Sequence, residues 1–547
     1  MNGKIFRPLY RIWQESSGSR LLMVSTALAG CVATCASLAF VWVTKKIVDC
    51  AVGPAHDIPL DVIGLLIGCL LLQLVVPAVR KRLETKAYTT YTAAMRSRLL
   101  SHLLGERWSG KGGMRAGDAI SRMNEDVATV ASLTCSTVPG LLSVGLQLVG
   151  AFIFLAFLDL RLAAAIVVIM PAALIASKIY LGRTRRLTRE IREDEAALQS
   201  FLQESLRHRT LLSTLMGEER RTAEYGSQQA ALIRKIVKRS DISIYSNSAV
   251  AAGFMAGYTV AFLWSAFGLA SGAVSFGVMT ALLQLVAQVQ RPVVDFSRRI
   301  PAFVNASVAI ERIDGILGSP LEDRSGAPMS GKSAPGLRFS DVCFTYPDGD
   351  REIICRLSHD FRPGSITCIT GATGAGKSTL LRIMLGLVEP TSGYAEMYNS
   401  EGEKRPVSPG LRTDIMYVPQ GNSLMCGTVR DNLLLAAPEA SDGELREVLH
   451  AAAADFVFEL PDGLDTKCSE GGGGFSEGQA QRIAIARGLL KKGGLVLLDE
   501  PTSALDIETE EILLTSLADR LKGRCTVIMV THRKAALGFC TDILDLT

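Results

Sequence analysis

The sequence has little net charge and no grouped cysteines, and each of these features argues against a class of partner or of binding site. The formal net charge is only +4 over 547 residues, so nothing indicates nucleic acid as a partner. The 12 cysteines are scattered, and no pair has Cys-x-x-Cys or zinc-ribbon spacing. Cys31 and Cys35 would share a helix face, where small residues packing between helices explain them better than a ligand pair. The sequence therefore predicts neither a metal site built from cysteines nor a disulfide scaffold.

Charged residues are also scarce in long stretches of the first half. Hydrophobic residues make up 48% of the chain and the mean hydropathy is +0.26, which is apolar for a soluble protein. Crossing the hydrocarbon core of a bilayer takes roughly 20 apolar residues. Six segments qualify, the last of them short and rich in glutamine: 21–43, 60–79, 138–158, 162–181, 243–269 and 275–289. The first is too long for a signal peptide and lacks a small-residue cleavage site.

Basic residues flank these spans unevenly and predict their orientation. Four precede the first span and four follow the second: Lys4, Arg7, Arg11, Arg20, Arg80, Lys81, Arg82 and Lys86. The connections "DLR" and "ASGAV", after spans three and five, are short and carry little charge. The positive-inside rule then places both termini in the cytoplasm, although Lys45 and Lys46 lie on the opposite side. We expect a multi-pass protein of the cytoplasmic (inner) membrane.

Two long connections and a change of composition define the domains. Residues 80–137 and 178–241 have helical apolar spacing, which predicts membrane helices that continue into the cytoplasm and turn near 114–126 and 207–219. Residues 318–336 are rich in Pro, Gly and Ser, as in a linker. From residue 337 short β-type runs alternate with helical stretches, the pattern of an α/β domain.

The α/β segment contains a loop suited to a triphosphate. The strand "SITCIT" runs into "GATGAGKST" and then into a helix. In such a Walker A loop, backbone N–H groups at Gly374 and Gly376 surround phosphates, Lys377 adds a positive charge, and the Ser378 hydroxyl ligates Mg²⁺. A chance match in a flexible loop is the alternative, and the strand–loop–helix context makes it the weaker one.

A second apolar strand, "LVLLDEP", ends in two acids. Asp499 would hold the Mg²⁺ shell, and Glu500 would polarise the attacking water, because phosphoryl transfer to water needs a positioned base. An Asp-Glu pair after an apolar strand is ordinarily just solvated. Beside a phosphate loop it predicts hydrolysis of a nucleoside triphosphate.

Three further residues fit the same nucleotide. Tyr346 in "FTYPD" would stack on adenine, although a lone aromatic is more often part of a core. Gln420 follows a strand and would reach Mg²⁺ or water, whereas a loop glutamine is ordinarily solvated. His532 ends the strand of "TVIMVTHR" and would contact the γ-phosphate; an exposed strand-end histidine is the alternative.

In their order, these motifs resemble the nucleotide-binding domain of ATP-binding cassette transporters, and six preceding spans resemble the exporter branch, in which one chain is half a transporter. The resemblance implies a multidomain membrane protein: a six-helix all-α transmembrane domain with long cytoplasmic extensions (1–317), a linker (318–336), and an α/β P-loop NTPase domain (337–547). Its nucleotide-contacting residues would be Tyr346, Gly371, Gly374, Gly376, Lys377, Ser378, Thr379, Ser476, Gly478, Gln479 and Asp506. The cofactors would be ATP and Mg²⁺, the latter held by Ser378, Gln420 and Asp499.

The stretch "GGGGFSEGQAQR" resembles the family signature Leu-Ser-Gly-Gly-Gln, which completes the ATP site of the opposite subunit. Ser476 and Gly478 would then face the partner's γ-phosphate. Two residues depart from the pattern, Phe475 for Leu and Glu477 for the first Gly. A carboxylate would repel a triphosphate, so we expect Glu477 to point away and pair with a nearby arginine. Glu470 occupies the acidic position of the family's cross-linking loop.

Together these features predict an ATP-driven exporter that alternates between inward- and outward-open forms. Because Lys377, Gln420, Glu500 and His532 are all present, a homodimer is favoured over a pair with a related half-transporter. The turns near 117–118 and 211–217 would dock on the nucleotide domains. The alternative is a nucleotide-gated channel or a membrane-bound regulatory ATPase that does not pump.

The substrate is the least constrained feature. The spans are nearly free of ionisable residues, and their main polar insertions are Gln73, Gln147, Gln284 and Gln288. Polar groups in spans often line a pathway, but glutamines also bridge helices, and we favour bridging. An apolar cavity would suit lipids, hydrophobic drugs or peptides, with membrane lipids as neighbours.

Overall fold

The computed structural model describes the chain except for residues 1–17, 19, 54–57, 109–115, 327, 330–332, 348, 350, 470–472 and 547. Side chains of residues 167–181, 185, 291, 293, 294, 297, 298 and 300 are not described either. The first three basic residues and Glu470 therefore lie outside the described residues. The chain divides into two compact units, Met1–Leu99 with Ile120–Gly315, and Leu100–Ala119 with Ile316–Thr547. The stretch Leu100–Ala119 thus groups with the second unit, although the domain boundaries themselves stay predictions.

The first unit is helical throughout its described part. Its helices are α1 Arg20–Val52, α2 Leu60–Gly105 (whose last residues belong to the second unit), α3 Ala116–Leu158, α4 Leu160–Arg207, α5 Arg209–Thr214, α6 Glu218–Ala270 and α7 Phe276–Leu317. Helix α3 includes two π-helical stretches, Arg122–Asp126 and Leu133–Thr137.

Among the residues that the structure describes, four helices are long and apolar enough to cross a membrane: α1, α2, α3 and α6. Helix α7 begins with a shorter apolar stretch, Phe276–Gln290. The predicted span 162–181 lies on α4, where most of its side chains are not described. The predicted count of six crossings therefore stays a prediction.

Helices α4 and α6 continue past the apolar stretches and pack against each other, as the sequence predicts. Ile191, Leu198 and Leu232 are buried between them. Two ion pairs cross the contact, Arg221–Glu204 at 2.8 Å and Lys235–Asp194 at 2.6 Å. At the turn beyond α4 the apolar side chains of α5 and its neighbours are exposed: Leu211, Leu215 and Met216.

Two of the span glutamines bridge helices, which agrees with the interpretation favoured from the sequence. The Gln73 side-chain amide donates to the Ala36 carbonyl at 3.4 Å. The Gln288 amide donates to the Ser37 hydroxyl at 3.1 Å. Both contacts tie a neighbouring helix to α1 through the side-chain NH₂ group, whereas the buried Gln288 Oε1 has no hydrogen-bond partner among the described residues.

The second unit contains two main sheets. Its strands are β1 Gly336–Thr345, β2 Glu352–Phe361, β3 Ile366–Gly371, β4 Ser392–Tyr398, β5 Lys404–Pro406, β6 Ile415–Val418, β7 Gly427–Thr428, β8 Lys467–Cys468, β9 Leu495–Asp499, β10 Thr526–Val530 and β11 Asp542–Leu546. The first sheet is antiparallel in the order β2-β1-β4-β5, and the second is parallel in the order β11-β3-β10-β9-β6. Strands β7 and β8 form a separate two-stranded ribbon.

The register of the parallel sheet determines where the motifs meet. Val530 at the end of β10 lies opposite both Ile369 on β3 and Asp499 on β9. The phosphate loop, the acid pair and His532 each follow one of these strands. Since parallel strands end at the same edge of a sheet, the three motifs emerge side by side, where α/β sheets commonly bind ligands.

Helices cover the sheets and close two cores. They are α8 Lys377–Met384, α9 Val429–Leu434, α10 Asp442–Ala451, α11 Phe456–Glu459, α12 Glu477–Leu490, α13 Ile507–Leu521 and α14 Lys534–Leu537. One core packs α8 between the antiparallel and parallel sheets, with Phe339, Phe361 and Leu380 fully buried. The other packs α12 and α13 on the opposite face. Cys368 and Cys540 form a disulfide that the cysteine spacing did not indicate.

Candidate functional site

The loop between β3 and α8 has the conformation that its glycines permit. Gly374 and Gly376 have φ of 88° and 98°, in the left-handed region that L side chains rarely adopt. A Cβ on Gly374 would meet nothing within 4 Å, so this residue borders open space. Helix α8 begins at Lys377 with Gly376 as its N-cap and no side-chain cap, which leaves its first N–H groups available to an anion.

Lys377 lies over this loop. Its ammonium donates to the carbonyls of Gly371 at 2.6 Å and Ala372 at 3.0 Å. These two hydrogen bonds hold the side chain in place, and the residue is only 9% exposed. An ammonium beside free helix N–H groups makes a strongly positive point at which phosphate would bind.

The loop opens onto a cavity of about 430 Å³. Most of its lining residues are ones that the sequence singled out, and the full set is Tyr346, Ile353, Thr373, Gly374, Gly376, Lys377, Ser378, Thr379, Arg382, Gln420, Glu500 and His532. A larger open groove of about 790 Å³ between α10 and α13 contains none of the predicted site residues. The predicted catalytic residues thus share one cavity with the phosphate loop.

Glu500 is the most constrained residue of the cavity. Its φ is 49°, a left-handed conformation that costs a residue other than glycine roughly 1–3 kcal/mol and is often found at functional sites. The backbone is fixed on both sides, because the Glu500 N–H donates to Val530 O at 3.0 Å and the Gln481 side chain donates to Glu500 O at 2.6 Å. This backbone holds the carboxylate at the mouth of the sheet.

Gln420 and His532 lie on two sides of the Glu500 carboxylate. The Gln420 amide donates to Glu500 Oε2 at 2.7 Å, and His532 Nε2 is 3.9 Å from Oε1. The Glu500 side chain is 25% exposed, so water can reach it. A carboxylate held between an amide and an imidazole is suited to orient a water molecule and accept its proton.

Asp499 is buried directly before Glu500. Burial and the neighbouring Glu500 charge raise the pKa of the Asp499 carboxyl, while Arg382 and Lys377 act in the opposite direction. A buried carboxylate with an unfavourable charge beside it gains stability from a bound cation. The donor set of Asp499, Ser378 and Gln420 fits Mg²⁺, which takes oxygen ligands, keeps several waters and binds few protein groups.

Tyr346 lines the cavity beside the first turns of α8. Its hydroxyl shares a 3.0 Å hydrogen bond with the Thr379 hydroxyl and accepts one from Arg382 Nη1 at 2.7 Å. Phe344 packs edge-on against its ring, with centroids 4.9 Å apart. The predicted adenine-stacking residue is therefore partly a core residue, as the alternative had it, and also a wall of the cavity.

The signature segment does not line this cavity. Ser476 is the N-cap of α12: its hydroxyl accepts from the Gln479 N–H at 3.2 Å, while the Gln479 side chain accepts from the Ser476 N–H at 3.0 Å. Gly478 is buried, and a Cβ there would lie 2.6 Å from the Ala504 carbonyl. Asp506 caps α13 by accepting from the Thr509 N–H at 3.0 Å.

Both departures from the signature pattern have a structural explanation. Phe475 packs edge-on against Phe456 with centroids 6.3 Å apart, so it supplies the apolar contact expected of the leucine. Glu477 is exposed in the first turn of α12, where a negative charge is favourable. The expected arginine partner was wrong: within the described part of the chain, Glu477 makes no ion pair.

Among the polar residues of the site, Thr373, Arg382 and Gln481 were missed from the sequence. Arg382 lines the cavity and contacts Tyr346, and its position four residues after Ser378 on α8 is a signal that could have found it. Gln481 holds the Glu500 backbone from α12, and nothing in the spacing of the motifs points to it. The roles of all these residues stay predictions.

Comparison with known families agrees with this geometry. A family model described as ABC transporter transmembrane region matches residues 23–293, and one described as ABC transporter matches residues 354–503. The chain is similar to an ATP-dependent lipid A-core flippase of Chromobacterium violaceum, with 30% identity over 431 residues, 77% of this chain and 72% of the relative.

Two other similarities extend the comparison. ABC multidrug transporter mdr2 of Aspergillus fumigatus is 29% identical over 441 residues, which cover 79% of this chain but only 55% of that relative. A solved structure of a bacterial Atm1-family ABC exporter with ATP bound has a TM-score of 0.80 and 23% identity, covering 96% of this chain and 93% of that one. The structural likeness shows a shared fold.

Proposed function

The chain belongs to the ATP-binding cassette transporter family, as an exporter-type chain that couples ATP hydrolysis to transport, and we propose that it exports an amphipathic substrate as a dimer with two composite ATP sites. The observation that carries the proposal is the single cavity that joins the phosphate loop to Glu500, Gln420 and His532. Several helices are long and apolar enough to cross a bilayer, so the chain is a membrane protein. Residence in the inner membrane with six crossings and cytoplasmic termini is part of the proposal.

Hydrolysis would proceed through the residues that surround the cavity. The α8 N-terminus and Lys377 bind the β- and γ-phosphates. Glu500 accepts the proton of the attacking water, Gln420 fixes the carboxylate that does so, and His532 donates to the γ-phosphate. When bound, Mg²⁺ would neutralise charge on the phosphate oxygens, with Ser378, Gln420 and Asp499 as the side chains that hold it.

The dimer is supported by the residues that the cavity lacks. Ser476, Gly478 and Gln479 lie at a helix N-terminus outside the lining of their own chain's cavity, and Ser476 is exposed there. A helix N-terminus of this kind attracts phosphate. The signature resemblance assigns it to the nucleotide of a second chain. A second copy is favoured over a related half-transporter because this chain's own catalytic residues are all present.

The substrate class follows from the character of the spans. Their apolar side chains are widely exposed, and the amides of Gln73 and Gln288 are used for helix bridging. A pathway lined in this way would accept an amphipathic molecule such as a lipid, a hydrophobic drug or a peptide. Relatives named as a lipid A-core flippase and as multidrug transporters support this class.

Transport into inside-out vesicles tests the function. A panel of lipids, drugs and peptides is first screened for stimulation of ATPase activity, and each hit is then offered to the vesicles with ATP. We expect ATP-dependent accumulation of at least one hit, and none in vesicles that contain Lys377→Ala. Hydrolysis that no compound stimulates and that moves no compound would instead support a channel or a regulatory ATPase.

A further inference from the structure

Trp108 contacts Tyr346 and Arg382, two residues that line the phosphate-loop cavity. It follows α2 by three residues, in a stretch that is bound by its backbone to the second unit. Arg107 N–H donates to Pro320 O at 2.9 Å, and Glu322 N–H donates to Gly105 O at 2.9 Å. Arg107 also pairs with Glu389 at 2.8 Å. The position of Trp108 is therefore fixed by its neighbours in the chain.

The indole of Trp108 contacts two residues of the cavity wall. The Arg382 guanidinium lies over its ring, 4.8 Å from the centroid. Its edge meets Tyr346, with centroids 6.4 Å apart and an interplanar angle of 73°. Arg382 in turn donates to the Tyr346 hydroxyl at 2.7 Å. The three side chains form a closed triangle in which each one contacts the other two.

We infer that Trp108 is a positioning residue for the adenine end of the ATP site, acting through Arg382 and Tyr346. The inference rests on the proposed ATP site. A guanidinium held over an indole is attracted to the ring face and loses its freedom to turn elsewhere. Arg382 also lies near enough to Asp499 to influence the pKa of that carboxyl. Trp108 keeps this charge at Tyr346 and limits the orientations that the tyrosine ring can take.

A base stacked on Tyr346 would lie against a ring that contacts the Trp108 indole. Trp108 is three residues beyond the end of α2 at Gly105. A base that stacks on Tyr346 must therefore change the surroundings of an indole attached to that helix. Lys377 begins α8, whereas Arg382 lies more than one turn farther along the helix, so a ligand without a base would bind at the helix N-terminus and not on the Tyr346 ring.

Steady-state kinetics separates positioning from mere packing. The variants Trp108→Phe and Trp108→Leu both keep an apolar side chain, but only phenylalanine keeps a ring face for Arg382. We expect Trp108→Leu to raise KM for ATP about three- to tenfold with kcat within about twofold, and Trp108→Phe to retain most of the wild-type KM. The inhibition constant of tripolyphosphate, which lacks a base, should stay within about twofold of wild type in both variants.

Tryptophan emission gives an independent readout. The chain has four tryptophans, Trp13, Trp42, Trp108 and Trp264. In a Glu500→Gln background, ATP should change the emission, and the change should persist in Trp42→Phe and Trp264→Phe but vanish in Trp108→Phe. Tripolyphosphate should compete with ATP and leave the emission unchanged.

Three outcomes would overturn the inference. The first is an unchanged KM for ATP in Trp108→Leu. The second is a parallel loss of affinity for ATP and for tripolyphosphate in that variant. The third is an ATP-dependent change in emission that survives in Trp108→Phe. A wild-type protein that binds neither ATP nor tripolyphosphate would overturn the proposed function itself, and this inference with it. If the wild-type protein binds both ligands and Trp108→Leu has the wild-type KM for ATP, only the inference would be overturned.

Discussion

Two glycine-rich loops of the nucleotide domain each run into a helix N-terminus, but they differ in what their helices leave free. At Gly374 and Gly376 the requirement for glycine is conformational, with φ of 88° and 98°. It is conformational at Gly474 of the second loop too, where φ is 103°. Gly478, already inside α12, is required sterically, because a Cβ would lie 2.6 Å from the Ala504 carbonyl. Helix α8 begins without a side-chain cap, whereas α12 begins with a reciprocal Ser476–Gln479 cap.

This difference fits the separate tasks that we propose for the two loops. An uncapped helix N-terminus with a lysine beside it offers its N–H groups to the phosphates of a nucleotide bound in the cavity of the same chain. A capped N-terminus is stable without a ligand and keeps only its dipole and its exposed Ser476 to offer. The second loop is thus suited to completing a site that another surface brings to it.

The largest expected effect tests the first loop's site. Glu500→Gln should leave ATP binding intact and slow hydrolysis about 10²-fold or more, because a proton acceptor is lost. Lys377→Ala should instead weaken ATP binding itself. Equilibrium ATP binding and steady-state phosphate release measure the two effects. Glu508→Gln, at an exposed position of α13, is the matched control and should hydrolyse ATP like the wild type.

Wild-type turnover by Glu500→Gln would show that Glu500 is not the base. Unchanged ATP affinity in Lys377→Ala would show that the first loop does not bind the phosphates, and the contrast between the loops would then fail.

The pH dependence of Mg²⁺ binding tests the electrostatics of the same site. The Asp499 carboxyl has a raised pKa, caused first by burial and then by Glu500. The folded protein therefore retains the Asp499 proton at pH values where the unfolded chain has lost it. The protonated carboxyl contributes to the stability of the fold at low pH, and this contribution is lost as pH rises through the folded pKa. Mg²⁺ needs the ionised form, so its affinity should fall about tenfold per pH unit below that pKa.

Isothermal titration of Mg²⁺ in the presence of ADP measures this dependence. Asp499→Asn should abolish it, and Glu500→Gln should move its midpoint to lower pH because a neighbouring negative charge is removed. A midpoint that Glu500→Gln leaves in place would mean that the acid pair is not electrostatically coupled.

The sequence predicted most of the nucleotide site because its motifs sit on strand ends that the parallel sheet must bring together. Lys377, Asp499, Glu500 and His532 follow β3, β9 and β10, and the register alone makes them neighbours. The ATP-hydrolysing membrane transporter fold is confirmed. The helical extensions α4 and α6 were predicted equally well, since their apolar spacing is long and regular.

What the sequence did not predict depends on contacts between distant segments. Trp108 precedes Tyr346 by more than two hundred residues, and Gln481 reaches the Glu500 backbone from a helix whose motif suggested another role. Glu477 was expected to pair with arginine, but a helix N-terminus already favours its charge. Local pattern identifies residues that chemistry demands, and it misses those that only orient them.

The third prediction concerns the steric glycine. Gly478→Ala should lower the free energy of unfolding by roughly 1–3 kcal/mol, since the added methyl must displace the Ala504 carbonyl. Gly443→Ala is the control, because its Cβ would meet only the Ser441 hydroxyl at 3.9 Å. Thermal unfolding in detergent should show a lower midpoint for Gly478→Ala alone. Equal midpoints would mean that Gly478 is not required for packing and is reserved for the ligand.

The last prediction concerns which chain's nucleotide the second loop contacts. Its expected effect is the smallest: the amount of occluded ATP should be half that of the unaltered tandem protein in one arrangement and none in the other. Two copies are joined in tandem in a Glu500→Gln background. With Lys377→Ala and Ser476→Arg in the same copy, each composite site contains one lesion and neither should occlude ATP. With the two lesions in different copies, both fall in one composite site, and the intact site should trap about half as much nucleotide as the unaltered tandem.

Arginine is used at position 476 because it is bulky enough to block phosphate, whereas Ser476→Ala would remove little more than a helix cap worth about 1 kcal/mol. The two tandem proteins carry identical substitutions, so any loss of stability is the same in both and cannot explain a difference in trapping. The opposite pattern, with occlusion only when both lesions share a copy, would mean that α12 serves the nucleotide of its own chain. The contrast between the two loops would then be one of helix capping and not of subunit, and the proposed dimer would be wrong.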